Sequence, residues 1–207
     1  MFWIILAAAS AQLSPPLGTD IRSLFSYDDV PMEYLPAESD RSVGIRLTVR
    51  PDGHVQSCDV EYTSGVDGLD VYTCKLAKRR ARFVAASAEM GKPSYAVYRA
   101  TIRWVVTGFA KPSPKPVNTD LVLTVNELPK GAKSPAYVSL MFVVDERGRT
   151  SSCSAEKVAP GQYSGDPQLL QMACEEIPKS YRPTPAKDDR GNPVESVQDA
   201  IVAFTTE

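Results

Sequence analysis

The residues of this 207-residue chain with the widest chemical range are four cysteines, at 58, 74, 153 and 174, and a single histidine, His54. A Cys–His or Ser–His nucleophile would have to be built on His54. That residue follows Asp52-Gly53 in a turn signature, where an exposed polar side chain needs no further role. A structural zinc needs four Cys or His ligands, and no C-x-x-C spacing is present to depress a thiol pKa for redox work. The cysteines are better used as two structural disulfides, for which four positions allow three connectivities. The adjacent carboxylates Asp28-Asp29 and Asp188-Asp189 diverge on extended or irregular backbone, and Asp188 to Asn192 (DDRGN) reads as a turn. No G-x-x-x-x-G-K-[ST] loop, G-x-S-x-G elbow or H-E-x-x-H helix occurs. These residues point to a protein that is not an enzyme, with no catalytic, cofactor-binding or metal-binding residues and no cofactor.

Charge narrows the partners. Lys and Arg number 23 against 25 Asp and Glu, giving a net charge of -2 with both signs interspersed. Such a balance gives no clustered basic field for nucleic acid. The one local concentration is Lys75 to Arg82 (KLAKRRAR), which could meet an anionic surface but is also what the solvated end of a helix looks like.

The elements that position these residues come as a repeat. Val49 to Cys58 (VRPDGHVQSC) aligns with Val144 to Cys153 (VDERGRTSSC) at a constant offset of 95. Cys74, Ala86, Gly91 and Pro93 recur as Cys174, Ala186, Gly191 and Pro193 at an offset of 100. Each copy thus owns one cysteine pair, which favours Cys58 with Cys74 and Cys153 with Cys174. Val43 to Val49 alternates as a half-buried strand, Pro51-Asp52-Gly53 turns, and Val55 to Tyr62 returns. Leu69, Tyr72 and Leu76 then fall at helical spacing, and Tyr95 to Val106 (YAVYRATIRWVV) is rich in β-branched and aromatic residues, as a third strand would be. The second copy predicts strands over Ala136 to Val144, Arg149 to Lys157 and Val194 to Thr205, a helix around Pro167 to Ile177, and an extra strand within Asp120 to Leu128. The expected fold class is α+β: two tandem small modules, each an antiparallel sheet of about three strands with one or two packed helices. A disulfide joining second strand to helix would add roughly 3 kcal/mol to so small a unit.

The remaining segments set boundaries. Phe2 to Ala9 is an apolar run and Ala9-Ser10-Ala11 supplies small residues for cleavage, so residues 1–11 read as a signal peptide, followed by an N-terminal segment 12–27. The run is too short to span a membrane, so no stable membrane insertion is expected after cleavage. Export agrees with paired cysteines and predicts a periplasmic or secreted protein. Gly108 to Pro116 (GFAKPSPKP) disfavours regular structure, placing a Pro-rich linker at 108–118 between a first module, 28–107, and a divergent second module, 119–207.

In the first copy, Asp29-Val30-Pro31, Gly44, Asp52-Gly53, Ser64-Gly65, Leu69-Asp70, Arg80 to Phe83, Ala86 and Gly91-Lys92-Pro93 stand in sequence. Their order and spacing resemble the TonB C-terminal domain family, in a paired-cysteine variant. The second copy keeps only Arg182-Pro183-Thr184-Pro185-Ala186, its cysteines and the G-x-P close. The resemblance implies a periplasmic binding module whose free strand edge receives an extended peptide or an envelope protein partner, an outer-membrane receptor in particular, with a link to TonB-dependent transport. An exposed edge offers unpaired N–H and C=O groups for such pairing. The candidate edge is Tyr95, Val97, Arg99, Thr101 and Arg103, with Glu195 to Phe204 as a lesser one. The competing expectation is an adaptor whose two modules pack together and bury those edges.

Overall fold

A computed structural model describes residues 24–35, 40–87, 92–106, 118–155 and 166–206. The expected signal peptide, all but the last residue of the linker, and the turn at Met90-Gly91 lie outside the described residues.

Two hairpins open the two halves of the chain. In the first, β1 (Asp40–Val49) turns into β2 (Val55–Tyr62); in the second, β6 (Ala136–Val144) turns into β7 (Thr150–Ala155). Their turns share the same hydrogen bonds: Gly53 N–H donates to the Arg50 carbonyl and Gly148 N–H to the Asp145 carbonyl. Both glycines have positive φ, +82° and +76°. A Cβ at Gly53 would sit 1.9 Å from the Phe83 carbonyl oxygen, and one at Gly148 3.0 Å from that of Pro183, so the turn requires glycine in each half for conformation and close approach alike.

Helices α1 (Asp67–Arg80) and α2 (Pro167–Ser180) follow. The Asp166 side chain caps α2 by accepting from the N–H groups of Gln168 and Leu169. No side chain caps α1 at Val66; instead the turn before it is held by Asp70. Asp70 accepts from Ser64 N–H, Ser64 Oγ and Thr63 Oγ1 at 3.0, 2.6 and 2.6 Å. Burial would push this carboxyl up in pKa, but the Ser64 and Thr63 hydrogen bonds outweigh it and hold it below its ordinary value. The Ser64-Gly65 and Leu69-Asp70 pairs are therefore one structural device.

After α1 come β3 (Ala86–Ser87) and β4 (Pro93–Val105); β5 (Leu121–Thr124) lies between the halves; β8 (Ala186–Lys187), β9 (Pro193–Val194) and β10 (Ser196–Thr205) follow α2. The extra strand expected within Asp120 to Leu128 is thus only four residues long. Registers repeat as well: Val49 faces Ala96 across β1 and β4, and Val144 faces Ser196 across β6 and β10, the same pairing at offsets of 95 and 100.

The fold is α+β, with a mixed sheet and two helices. The sheets expected to be separate are one: eight strands with the main order β2-β1-β4-β10-β6-β7, β3 beside β4 and β5 beside β10, and β8-β9 as a separate two-stranded ribbon. The joint is parallel, Tyr95 and Ala96 of β4 against Ser196 and Val197 of β10. Two edge strands that would each expose unpaired backbone groups satisfy one another there, an outcome the pattern of neither strand encodes. Helix α1 packs Leu69, Leu76 and Ala77 on Val43, Ile45, Leu47, Ile102 and Trp104, in a core shared with Met141, Val143 and Val197. Helix α2 packs Leu169, Ala173 and Ile177 on Val138, Phe142, Ala200, Val202 and Phe204. Val197 alternates with Ala200, Val202 and Phe204 along β10, so the two helices cover opposite faces. A parallel central pair with one helix on each face is what a half-turn about an axis running along the strands generates.

Candidate functional site

Strand β4 is the longest of the described strands and carries the candidate edge. Its inner side is fully laddered to β1, from Asp40 opposite Val105 to Val49 opposite Ala96. On its outer side Tyr95 and Ala96 are taken by β10, so the first position of the proposed edge already has a partner within the chain. Among the described residues, no strand pairs with that outer side from Val97 to Val105. Exposure grows along this stretch: Val97 is buried, Arg99 half-buried, and Thr101, Arg103 and Val105 are exposed.

Strand β10 is different. It ladders to β6 along one side, and its other side passes from β4 at Val197 to β5 at Val202. In the gap, the Arg99 guanidinium donates to the Asp199 carbonyl at 3.0 Å, Ile201 N–H donates to Asp120 Oδ2 at 2.8 Å, and Asp120 N–H donates to the Ile201 carbonyl at 2.8 Å. The lesser candidate edge, Glu195 to Phe204, is therefore occupied over most of its length.

Arg99 is the centre of this closure. It bonds Asp120 through two nitrogens at 2.6 and 2.7 Å and Asp199 Oδ2 at 3.0 Å, with side-chain exposures of only 20%, 13% and 23% for the three. Burial works against its charge, yet the Asp120 and Asp199 carboxylates outweigh that and raise its pKa. The Tyr181 hydroxyl donates to Asp120 at 3.4 Å; burial, followed by the Asp120 charge, pushes its pKa up to about 12. Arg103 is held by Asp40 through two bonds at 2.7 and 2.5 Å in a more exposed setting. Sequence reasoning named both arginines as edge residues but missed Asp40, Asp120 and Asp199 as their partners. The available signal was that Arg99 and Asp199 occupy corresponding positions of the repeat.

The cysteines pair as the repeat predicts. Cys58 bonds Cys74 and Cys153 bonds Cys174, with Cα separations of 5.5 and 5.6 Å, each tying a second strand to a helix, and none of the four is free. His54 stays exposed at the hairpin tip, with Nδ1 3.4 Å from Asp52 Oδ1. Among the described residues no cluster of three or more His, Cys, Asp or Glu could hold a metal ion, and no helix is long and apolar enough to cross a membrane.

Residues 37–106, about a third of the chain, match the family model described as the Gram-negative bacterial TonB protein C-terminal. The matched stretch runs from just before β1 to just past β4. Domains of this family mediate protein–protein interactions in the cell envelope and are not enzymes. No curated protein and no solved structure matches the chain.

Proposed function

We propose that this is a TonB-like periplasmic protein that binds an extended peptide or an envelope protein by pairing along β4 from Val97 to Val105, with the second half as its support. The observation that carries this reading is the contrast between the two third strands. The outer side of β10 is filled by β4, Arg99, Asp120 and β5, whereas that of β4 has no described partner strand after Ala96. A strand added there would gain main-chain hydrogen bonds beside the exposed side chains of Thr101, Arg103 and Val105. Two modules, 28–107 and 119–207, joined by a Pro-rich linker, account for the matching turns, registers and disulfides. The resemblance extends the reading to an outer-membrane receptor as partner and a link to TonB-dependent transport.

A photo-crosslinking amino acid placed at Thr101, Arg103 or Val105 in cells tests it. One shared envelope protein should be captured from all three positions and not from Lys130, which lies on the loop after β5. Failure at all three would favour the second reading, a closed adaptor, which the β4–β10 joint and the Arg99 clamp support.

A further inference from the structure

The two helices have the same length and corresponding places in the sheet, yet their outer surfaces differ. On α1 the exposed stripe runs Val71, Lys75, Lys78 and Arg79, and Arg82 and Val84 just past the helix end are exposed as well. No Asp or Glu occurs in sequence from Val71 to Ser87. Among the described residues no carboxylate lies within ion-pairing distance of Lys75, Lys78, Arg79 or Arg82, whereas Arg80 is paired with Asp29 and arginines 46, 50, 99, 103 and 149 have carboxylate partners. Closing the helix end does not call for this many cations. Arg82 caps it by donating to the Arg79 and Ala81 carbonyls, as Arg182 does for α2 at the Pro178 and Tyr181 carbonyls, but the last turn of α2 itself carries one basic residue, Lys179, that is paired with Glu176.

Apolar side chains share this surface. Val71 is 68% and Val84 67% exposed. Val71 also lines an open hollow of about 310 Å³ together with Tyr34, Asp67, Gly68, Tyr72 and Lys75. A soluble polyanion would gain from the cations but has no use for the valines. A bilayer surface uses both, since cations meet anionic headgroups while small apolar side chains enter the interface below them.

From this we infer that α1 is a peripheral docking face for an anionic lipid bilayer, with Lys75, Lys78 and Arg79 as the charge contacts and Val71 and Val84 as shallow apolar ones. Of the two acidic residues in the first turn of α1, Asp70 is buried and Asp67 lies at the helix N-terminus, while Asp29 at the C-terminal end is held by Arg80, so the C-terminal half of α1 faces the membrane. The α2 side, on the other face of the sheet, points away. This inference does not depend on the β4 edge.

Co-sedimentation of the full chain with phosphatidylglycerol-containing vesicles and with pure phosphatidylcholine vesicles is the test. Binding is expected only to the anionic vesicles and falls with added salt. The triple variant Lys75→Gln, Lys78→Gln, Arg79→Gln should lower the partition coefficient by roughly 100-fold, taking about fivefold per cation. Val71→Ser lowers it a few-fold further, to about a third by the same order of reasoning. A control with the same change in net charge, Lys130→Gln, Lys133→Gln, Lys187→Gln, should bind like the unaltered chain, and circular dichroism should report folded protein throughout. Absence of binding to anionic vesicles at low salt overturns the proposal. So does an equal loss in the control triple, or retention of a soluble anionic polymer without retention of vesicles.

Discussion

The first and second halves of this chain share a turn, a strand register, a helix length and a disulfide, and they differ in what becomes of their third strand. β10 has neighbours on both sides; β4 keeps its outer side clear of described strands from Val97 onward. A small set of carboxylates makes the difference. Asp120 and Asp199 draw Arg99 into the joint and close the gap on β10, while the corresponding stretch of β4 has only Arg103 held to its own neighbour Asp40. On the proposed reading, one half supplies its third strand as structural glue and leaves the other's available, without altering the core of either.

The largest effects should come from the cores, where the halves ought to behave alike. Trp104 and Phe204 hold corresponding positions and are 3% and 0% exposed. Alanine at either should cost about 3–5 kcal/mol by urea unfolding. The halves part at Trp104→Phe. Trp104 Nε1 donates to Thr73 Oγ1 at 2.9 Å inside the first core, and losing that bond should cost about 1–2 kcal/mol, a polar contribution for which the second core, with Ala173 and Phe204 at those places, has no equivalent.

Next come the disulfides. The paired cysteines lie 16 and 21 positions apart in sequence. Replacing either pair by alanines should lower stability by about 3 kcal/mol, nearly equally, because loop entropy grows only with the logarithm of length. A much smaller loss for Cys153/Cys174 would mean that the joint with the first half already restrains the second.

The Arg99 clamp should matter less to stability and more to the contrast itself. Arg99→Met leaves two part-buried carboxylates facing each other and should cost about 1–3 kcal/mol, whereas Arg103→Met at its more exposed pair should cost about 0–1 kcal/mol. Amide hydrogen exchange gives the sharper reading. Arg99→Met should speed exchange at Ile201, whose N–H is held by Asp120, and leave the β1–β4 ladder unchanged. Equal exchange before and after would remove Arg99 from the closure.

How much of this could be read from the sequence follows from the range of each interaction. The hairpins, both helices and the cysteine pairing were legible because a Gly turn, a helical spacing and a repeat offset are properties of the chain itself; Val55–Tyr62 and Ala136–Val144 are bounded as the pattern predicts. The joining of two sheets into one was not. Whether Tyr95 pairs with Ser196 depends on how two finished units meet, and Tyr95 to Val106 has the same apolar, β-branched character whether its edge is open or paired. Arg99 and Arg103 did carry a warning, since a charge inside a strand needs a partner, but the partners lie 21 and 100 residues away in sequence for Arg99 and 63 for Arg103. The candidate site was therefore legible as a strand, while the pairing of its first residue, Tyr95, with β10 was not.

The smallest predicted effect concerns acid, and it belongs to one half only. Arg80 holds Asp29 through both carboxylate oxygens, and that hydrogen bonding, followed by the one from Ser26 N–H, keeps the Asp29 carboxyl far below its ordinary value. The pair fastens the segment before β1 to the end of α1, with Arg80 also donating to the Leu24 carbonyl. In the second half Ser180 stands where Arg80 does, and no such strap exists among the described residues. A carboxyl with a depressed pKa in the folded state contributes stability that is complete above its unfolded value near 3.8 and is lost as pH falls through the folded one. Urea midpoints measured at about pH 7 and about pH 3 should therefore fall for the unaltered chain, and fall less for Asp29→Asn, which has already given up the strap at neutral pH. Arg80→Ser, which copies the second half into the first, should show the same blunted response. An undiminished acid loss in both variants would mean that the strap adds nothing and that the halves respond to acid through carboxyls they share.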